Sequence, residues 1–183
     1  MILEKLKKFP SDLILLIAAA LGIIILLTIN IFIFEEIARK VPGYTILDFE
    51  FAWTKVRIDT IFLRWGPLGM AEQAAGVYWD FLYILGYVVP LFALIVYFSR
   101  RLEDRIATIG LYMSLIPIVA GIFDVIENIN LLIMLNDPSN FASFVPLIAS
   151  ISAMIKFGFL IVGAIFFLVA LVLFIVKKIK KQD

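Results

Sequence analysis

The chain alternates long apolar runs with short charged punctuation, and four of the runs are long enough to cross a bilayer. They cover residues 13–34, 78–98, 106–135 and 146–176. About 20 apolar residues at a rise of ~1.5 Å span a ~30 Å hydrocarbon core. Pro10-Ser11-Asp12 opens the first run with helix-starting chemistry. Glu35-Glu36 and Arg39-Lys40 follow it where a signal peptide would carry a small-x-small cleavage site, so it reads as a retained membrane helix. Asn136 to Asn140 is a strong turn before the last run. That run is too long for one perpendicular span: either it tilts, or Pro146 starts the helix and residues 141–145 are interfacial. The pattern predicts an all-α integral membrane bundle of four transmembrane helices, one domain over residues 1–183.

Residues 36–77, between the first two spans, are too many for a plain loop. Leu47, Phe49 and Phe51 alternate with Asp48 and Glu50, which predicts a short, half-buried extended piece. Residues 54–65 read as an amphipathic helix, with Trp53 and Trp65 suited to the bilayer interface, and Gly66-Pro67 breaks it. The connection is then either an interfacial amphipathic linker or a lid over the bundle.

Polar residues interrupt the apolar pattern at chosen places. In the third span Pro117, Gly121, Asp124, Glu127, Asn128 and Leu131 share one face at 3.6 residues per turn. A charge at membrane depth costs ~2.5–3.5 kcal/mol even on the lenient scale, so that face must look at protein or water. Lys5, Lys7 and Lys8, the Arg100–Arg105 loop and the C-terminal lysines fall on one side only if there are four spans. This puts both termini in the cytoplasm and the long connection outside. Counting from the basic end at ~1.5 Å per residue then places Asn30, Asp80, Asp124, Glu127 and Lys156 at one level, roughly 26–31 Å up.

One level on four helices predicts a single site. Asp80, Asp124 and Glu127 are its candidate acid/base groups, and Asn30, Tyr83, Tyr87, Asn128 and Lys156 its candidate ligand contacts. Asp80, Tyr83 and Tyr87 share a stripe, as do Ala149, Ser152, Lys156 and Gly163, whose small members allow close helix approach. Lys156 is expected to contact Asp124 or Glu127. Crowded carboxyls should not all ionise, so at least one keeps its proton near neutral pH. The plainer reading is that the charges only hold helices together and the tyrosines only pack.

Composition narrows the chemistry. The chain has 183 residues, 63% of them hydrophobic against roughly 45–50% in soluble domains, which marks a membrane protein. A net charge of +1 gives no case for nucleic acid. With 0 His and 0 Cys, disulfides, thiolate nucleophiles, His bases and Cys/His metal sites are excluded, and neither a metal nor a cofactor is implied. The lysine-rich end reads as a snorkelling anchor; Lys180-Lys181-Gln182-Asp183 also has the form of a dilysine retrieval signal.

The order of these features resembles the EXPERA family, four-span proteins that include sterol 8,7-isomerases and the sigma-2 receptor. The resemblance rests on an acid closing the first span (Glu35 or Glu36), a long connection containing an acid, and Tyr78-Trp79-Asp80-Phe81-Leu82-Tyr83 opening the second. Ser114-Leu115-Ile116-Pro117-Ile118 and the basic tail are similar too. It implies a cavity for sterol-like or lipophilic amine ligands faced by carboxylates, with ring double-bond isomerisation in some members. It carries over ligand-facing roles to Glu36, Asp80 and Asp59. Asp124, Glu127 and Lys156 have no counterpart in that pattern, and the isomerases' His is missing here. Asp124-x-x-Glu127-Asn128 also resembles uncharacterised prokaryotic membrane proteins.

Three functions fit. The first is a carboxylate-lined intramembrane cavity for a membrane lipid or lipophilic cationic small molecule, with acid/base isomerase-type chemistry as its extension. The second is a non-catalytic accessory subunit of a membrane complex. The third is a proton-coupled transporter, which would need a homo-oligomer because no inverted repeat is evident.

Overall fold

The computed structural model describes residues 2–180, without the side chains of residues 2, 3 and 104. The retrieval-type ending at residues 181–183 lies outside them. The described chain is all-helical in class, with no strand, and four of its helices are long and apolar enough to cross a membrane. In order these elements are α1 (Ile2–Leu6), α2 (Asp12–Ile29), a π-helical turn (Asn30–Phe34), α3 (Glu35–Lys40), α4 (Ile46–Glu50), α5 (Lys55–Ser99), α6 (Asp104–Met113), α7 (Ile116–Asn136) and α8 (Val145–Ile179).

Helix α5 is the hub. It packs against α2 on one side and against α7 and α8 on the other, and α7 packs along α8. Glycines set the α2–α5 approach: a Cβ at Gly86 would lie 2.9 Å from the Leu26 backbone nitrogen, and one at Gly22 2.5 Å from Pro90 Cδ. Small residues are what let membrane helices come this close. The outward faces carry exposed Ile17, Leu21 and Ile24 on α2 and Ile161, Ile165 and Leu168 on α8. Contiguous apolar surface of that extent suits lipid, not water.

At the basic end, Arg100 ties α1 to the bundle. Its Nε donates to Leu6 O at 2.8 Å and its Nη1 to Pro10 O at 2.7 Å. Asp12 takes Arg100 at 2.9 Å and Arg101 at 2.7 Å. At the other end the connection packs onto the bundle: Phe49, Ile58 and Ile61 are fully buried in one cluster with Leu131, Met134, Phe141 and Val145. Trp65 belongs to that cluster, and its indole N–H donates to Tyr44 O at 2.8 Å.

Three expectations need correction. The piece predicted as extended over residues 47–53 holds helix α4, because Thr45 and Asp48 form a reciprocal capping box that starts a helix. The Asp48 carboxyl accepts from the Thr45 backbone N–H, which holds its pKa below the ordinary value. Gly66 breaks the helix as expected: at φ 65° and ψ 179° it is non-helical, in a conformation open almost only to glycine, and the two helical stretches of α5 meet there across a kink. The helix resumes at Pro67 instead of waiting for residue 78, since Pro fits a first turn and Met70 to Ala75 are mostly good helix formers. The third run is two helices, α6 and α7, broken at Ser114-Leu115 ahead of Pro117. For the last run, Val145 starts the helix with Pro146 in its first turn. Its 35 residues reach about 52 Å, well beyond a ~30 Å slab.

Candidate functional site

The expected face of α7 turns inward as a unit. Asp124 is 2% exposed, Glu127 0% and Asn128 2%, while Ile122, Ile126 and Ile129 on the opposite side are exposed. Asn130 is satisfied within its own helix, donating to Ile126 O at 2.7 Å.

Lys156 enters from α8 beside Ala149, Ser152 and Ala153, which are all buried. Its ammonium lies 2.8 Å from Glu127 Oε2, 3.1 Å from Asp124 Oδ1 and 3.6 Å from Glu50 Oε2. On the far side of Asp124, the Tyr87 hydroxyl donates to Oδ2 at 2.6 Å. Asp80 sits apart, accepting from Asn128 Nδ2 at 2.7 Å. Lys156 thus serves three carboxylates and leaves the fourth to an amide.

Glu50 was not legible as a site residue. The alternating reading set it on a polar face beside Asp48; the helix beginning at the Thr45 cap instead turns it inward with Phe49. The Thr45-x-x-Asp48 spacing was the available signal. Burial pushes the Glu50 carboxyl upward, the Asp124 charge adds to this, and Lys156 and Glu127 oppose it. Among the described residues Glu127 Oε1 has no hydrogen-bond partner, and Glu127 Oε2 and Glu50 Oε2 meet only the Lys156 ammonium. A proton on Glu50 would supply Glu127 with the donor it lacks and reduce the negative excess around one ammonium.

Glu50, Asp80, Asp124 and Lys156 border a cavity of about 720 Å³, while Glu127 is buried behind its wall. Its wall takes Asn30, Phe34 and Glu35 from the first span, and Gln73, Asp80, Tyr83 and Tyr87 from α5. Asp124 and Asn128 come from α7, Lys156, Phe157 and Leu160 from α8, and residues 41–47 and Glu50 close the connection side. The volume lies within the ~300–1,000 Å³ usual for small-molecule sites. Tyr83 is held edge-on between Phe34, at 5.0 Å, and Tyr87, at 6.1 Å between ring centroids.

Two expected ligand contacts stand elsewhere. Glu36 points away from the cavity into ion pairs with Arg39 at 2.6 Å and Lys40 at 3.9 Å; Glu35 lines the wall instead. The cause is the π-helical turn, in which the Glu35 N–H reaches back to Asn30 O and shifts the following register. Asp59 is exposed and pairs with Lys55 one turn away at 3.2 Å, on the solvent side of α5. Asn30 lines the cavity but at its exposed rim. Gln73, which the sequence reading passed over, is 5% exposed and lines the wall two turns before Asp80.

No family model, curated protein or solved structure matches this chain.

Proposed function

We propose that this protein is a multi-pass membrane protein whose cavity binds a lipid-like, cationic amphiphile, with Asp80 receiving the positive charge. One observation carries this reading. Among the described residues no Lys or Arg lies within ion-pair distance of Asp80, although it borders the cavity and Lys156 is already engaged by Glu50, Asp124 and Glu127. A carboxylate in a poorly solvated wall without a cation is a place where a cation gains most. Tyr83, Tyr87 and Phe34 add aromatic rings to the same wall, which favour an ammonium over a neutral group.

The route in is lateral. Helix α2 packs on α5, and among the described residues it makes no comparable contact with α8, yet both spans contribute to the wall. A ligand dissolved in the bilayer can reach Asp80 between them. The EXPERA-like layout points the same way. The accessory-subunit reading is less favoured, because the one buried ammonium, Lys156, pairs with Asp124 and Glu127 of its own chain. Acid/base chemistry would use Glu50 as proton donor and Asp124 or Asp80 as acceptor. The basic residues at the α1, α5–α6 and α8 ends support cytoplasmic termini.

The test is ligand-dependent thermal stability of the purified protein in neutral detergent, with hexadecylamine, hexadecanol and palmitate as probes. The amine should raise the midpoint and the other two should not. Asp80→Asn should weaken amine binding at least about tenfold, as loss of a charge-assisted contact does. Equal stabilisation by hexadecanol, or an amine effect untouched by Asp80→Asn, would overturn the reading.

A further inference from the structure

Asp80 has an amide partner but no cation, and a second polar group on the cavity wall has no protein partner at all. Gln73 is 5% exposed and lines the wall, and among the described residues no hydrogen bond reaches its amide. Buried side-chain amides are ordinarily satisfied, and one left without a protein partner on a cavity wall is available to whatever occupies the cavity. Its neighbours do not compete for it: Gly76 and Val77 flank it along the same wall, and Glu72 turns outward to Lys40 at 3.3 Å.

The spacing turns this into a statement about the ligand. Gln73 and Asp80 are seven residues apart on one helix, which returns nearly to the same face after two turns. Their side chains are therefore offset by about 10 Å along the cavity wall. We propose that Gln73 is a second recognition point, which reads an uncharged hydroxyl or carbonyl about 10 Å from the ligand's cationic group. The substrate class is then a bifunctional amphiphile, an amine with a neutral polar group part-way along its hydrocarbon body, rather than a simple alkylamine. The amide can donate and accept, so it suits either a hydroxyl or a carbonyl. This inference rests on the binding reading above, and it adds a specificity determinant that Asp80 cannot supply.

A matched pair of probes tests it. About eight bonds span ~10 Å, as an extended chain advances ~1.2 Å per bond, so hexadecylamine is compared with 8-hydroxyhexadecylamine and, as a control, 3-hydroxyhexadecylamine. Affinities are measured on the full chain in neutral detergent. The 8-hydroxy compound should bind roughly fivefold more tightly than hexadecylamine, the usual yield of one net hydrogen bond. Gln73→Leu should abolish that preference, so that the two amines bind the variant equally. Gln73→Met, with a flexible side chain of similar length, guards against a packing artefact and should behave the same way. If hexadecylamine binds through Asp80 but the 8-hydroxy compound gains nothing, or keeps its gain in both Gln73 variants, the amide is merely hydrated and the inference falls. If the 3-hydroxy compound gains as much as the 8-hydroxy one, the spacing argument falls. If neither amine binds, the underlying reading falls with it.

Discussion

Glu50 Oε2 lies 3.6 Å from Lys156 Nζ, and both residues are buried, one on a short helix outside the spans and one inside the last span. The contact fastens the connection to the charge centre of the bundle. Ser150 reinforces it one turn and a half before Lys156: its hydroxyl donates to Glu50 O at 2.7 Å and accepts from the Trp53 N–H at 3.0 Å. The segment between the first two spans therefore forms one wall of the cavity, and its position is coupled to the same ammonium that Asp124 and Glu127 hold.

The cluster should behave as a unit under mutation. Lys156→Met strands Asp124 and Glu127 without a counter-charge, at a cost of ~3–5 kcal/mol. Adding Glu127→Gln should recover part of that loss. A thermal-shift matrix of singles and doubles in detergent reads the coupling directly. Simple additivity would show that Lys156 and Glu127 act independently.

Stability should depend on pH through Glu50. The groups facing it are Lys156, Asp124 and Glu127, and burial dominates, so the folded protein holds a proton that the unfolded chain has released. A folded-state value above the unfolded one means stability declines as pH climbs from the ordinary carboxylate range towards the raised value. Glu50→Gln should flatten that decline, as measured by unfolding at a series of pH values. An unchanged slope in the variant would assign the titration to another group.

Removing the Ser150 hydroxyl frees two backbone groups of the connection. Each such loss costs ~1–3 kcal/mol where the group stays buried. Ser150→Ala should therefore expose Lys55 and Arg57 to trypsin faster than in the wild-type protein, while the four spans stay intact. Rapid cleavage of the wild type itself would favour a loose linker over a closure.

Cytoplasmic termini can be checked with single cysteines, because the native chain has 0 Cys. Asn140→Cys should react with an impermeant maleimide from the outer side, and Arg105→Cys only after the cytoplasmic side is opened. The opposite pattern would invert the orientation, though not the cavity.

The four apolar runs and the inward face of α7 were legible in the chain because both follow from local rules. A bilayer-length run needs no partner to be recognised, and the 3.6-residue period puts Asp124, Glu127 and Asn128 on one side whatever packs there. Lys156 was legible by depth, since topology and rise alone bring it level with them. Tertiary structure decided the rest. That Glu50 meets Lys156 depends on where a capped five-residue helix lands on α7 and α8, a packing outcome that no spacing along the chain encodes. That Glu35 faces the cavity and Glu36 does not turns on one backbone hydrogen bond closing a π-helical turn at Asn30. That Asp80 has no cation follows from competition: three carboxylates reach one ammonium first, and which acid is left over depends on how close the packed helices bring each of them.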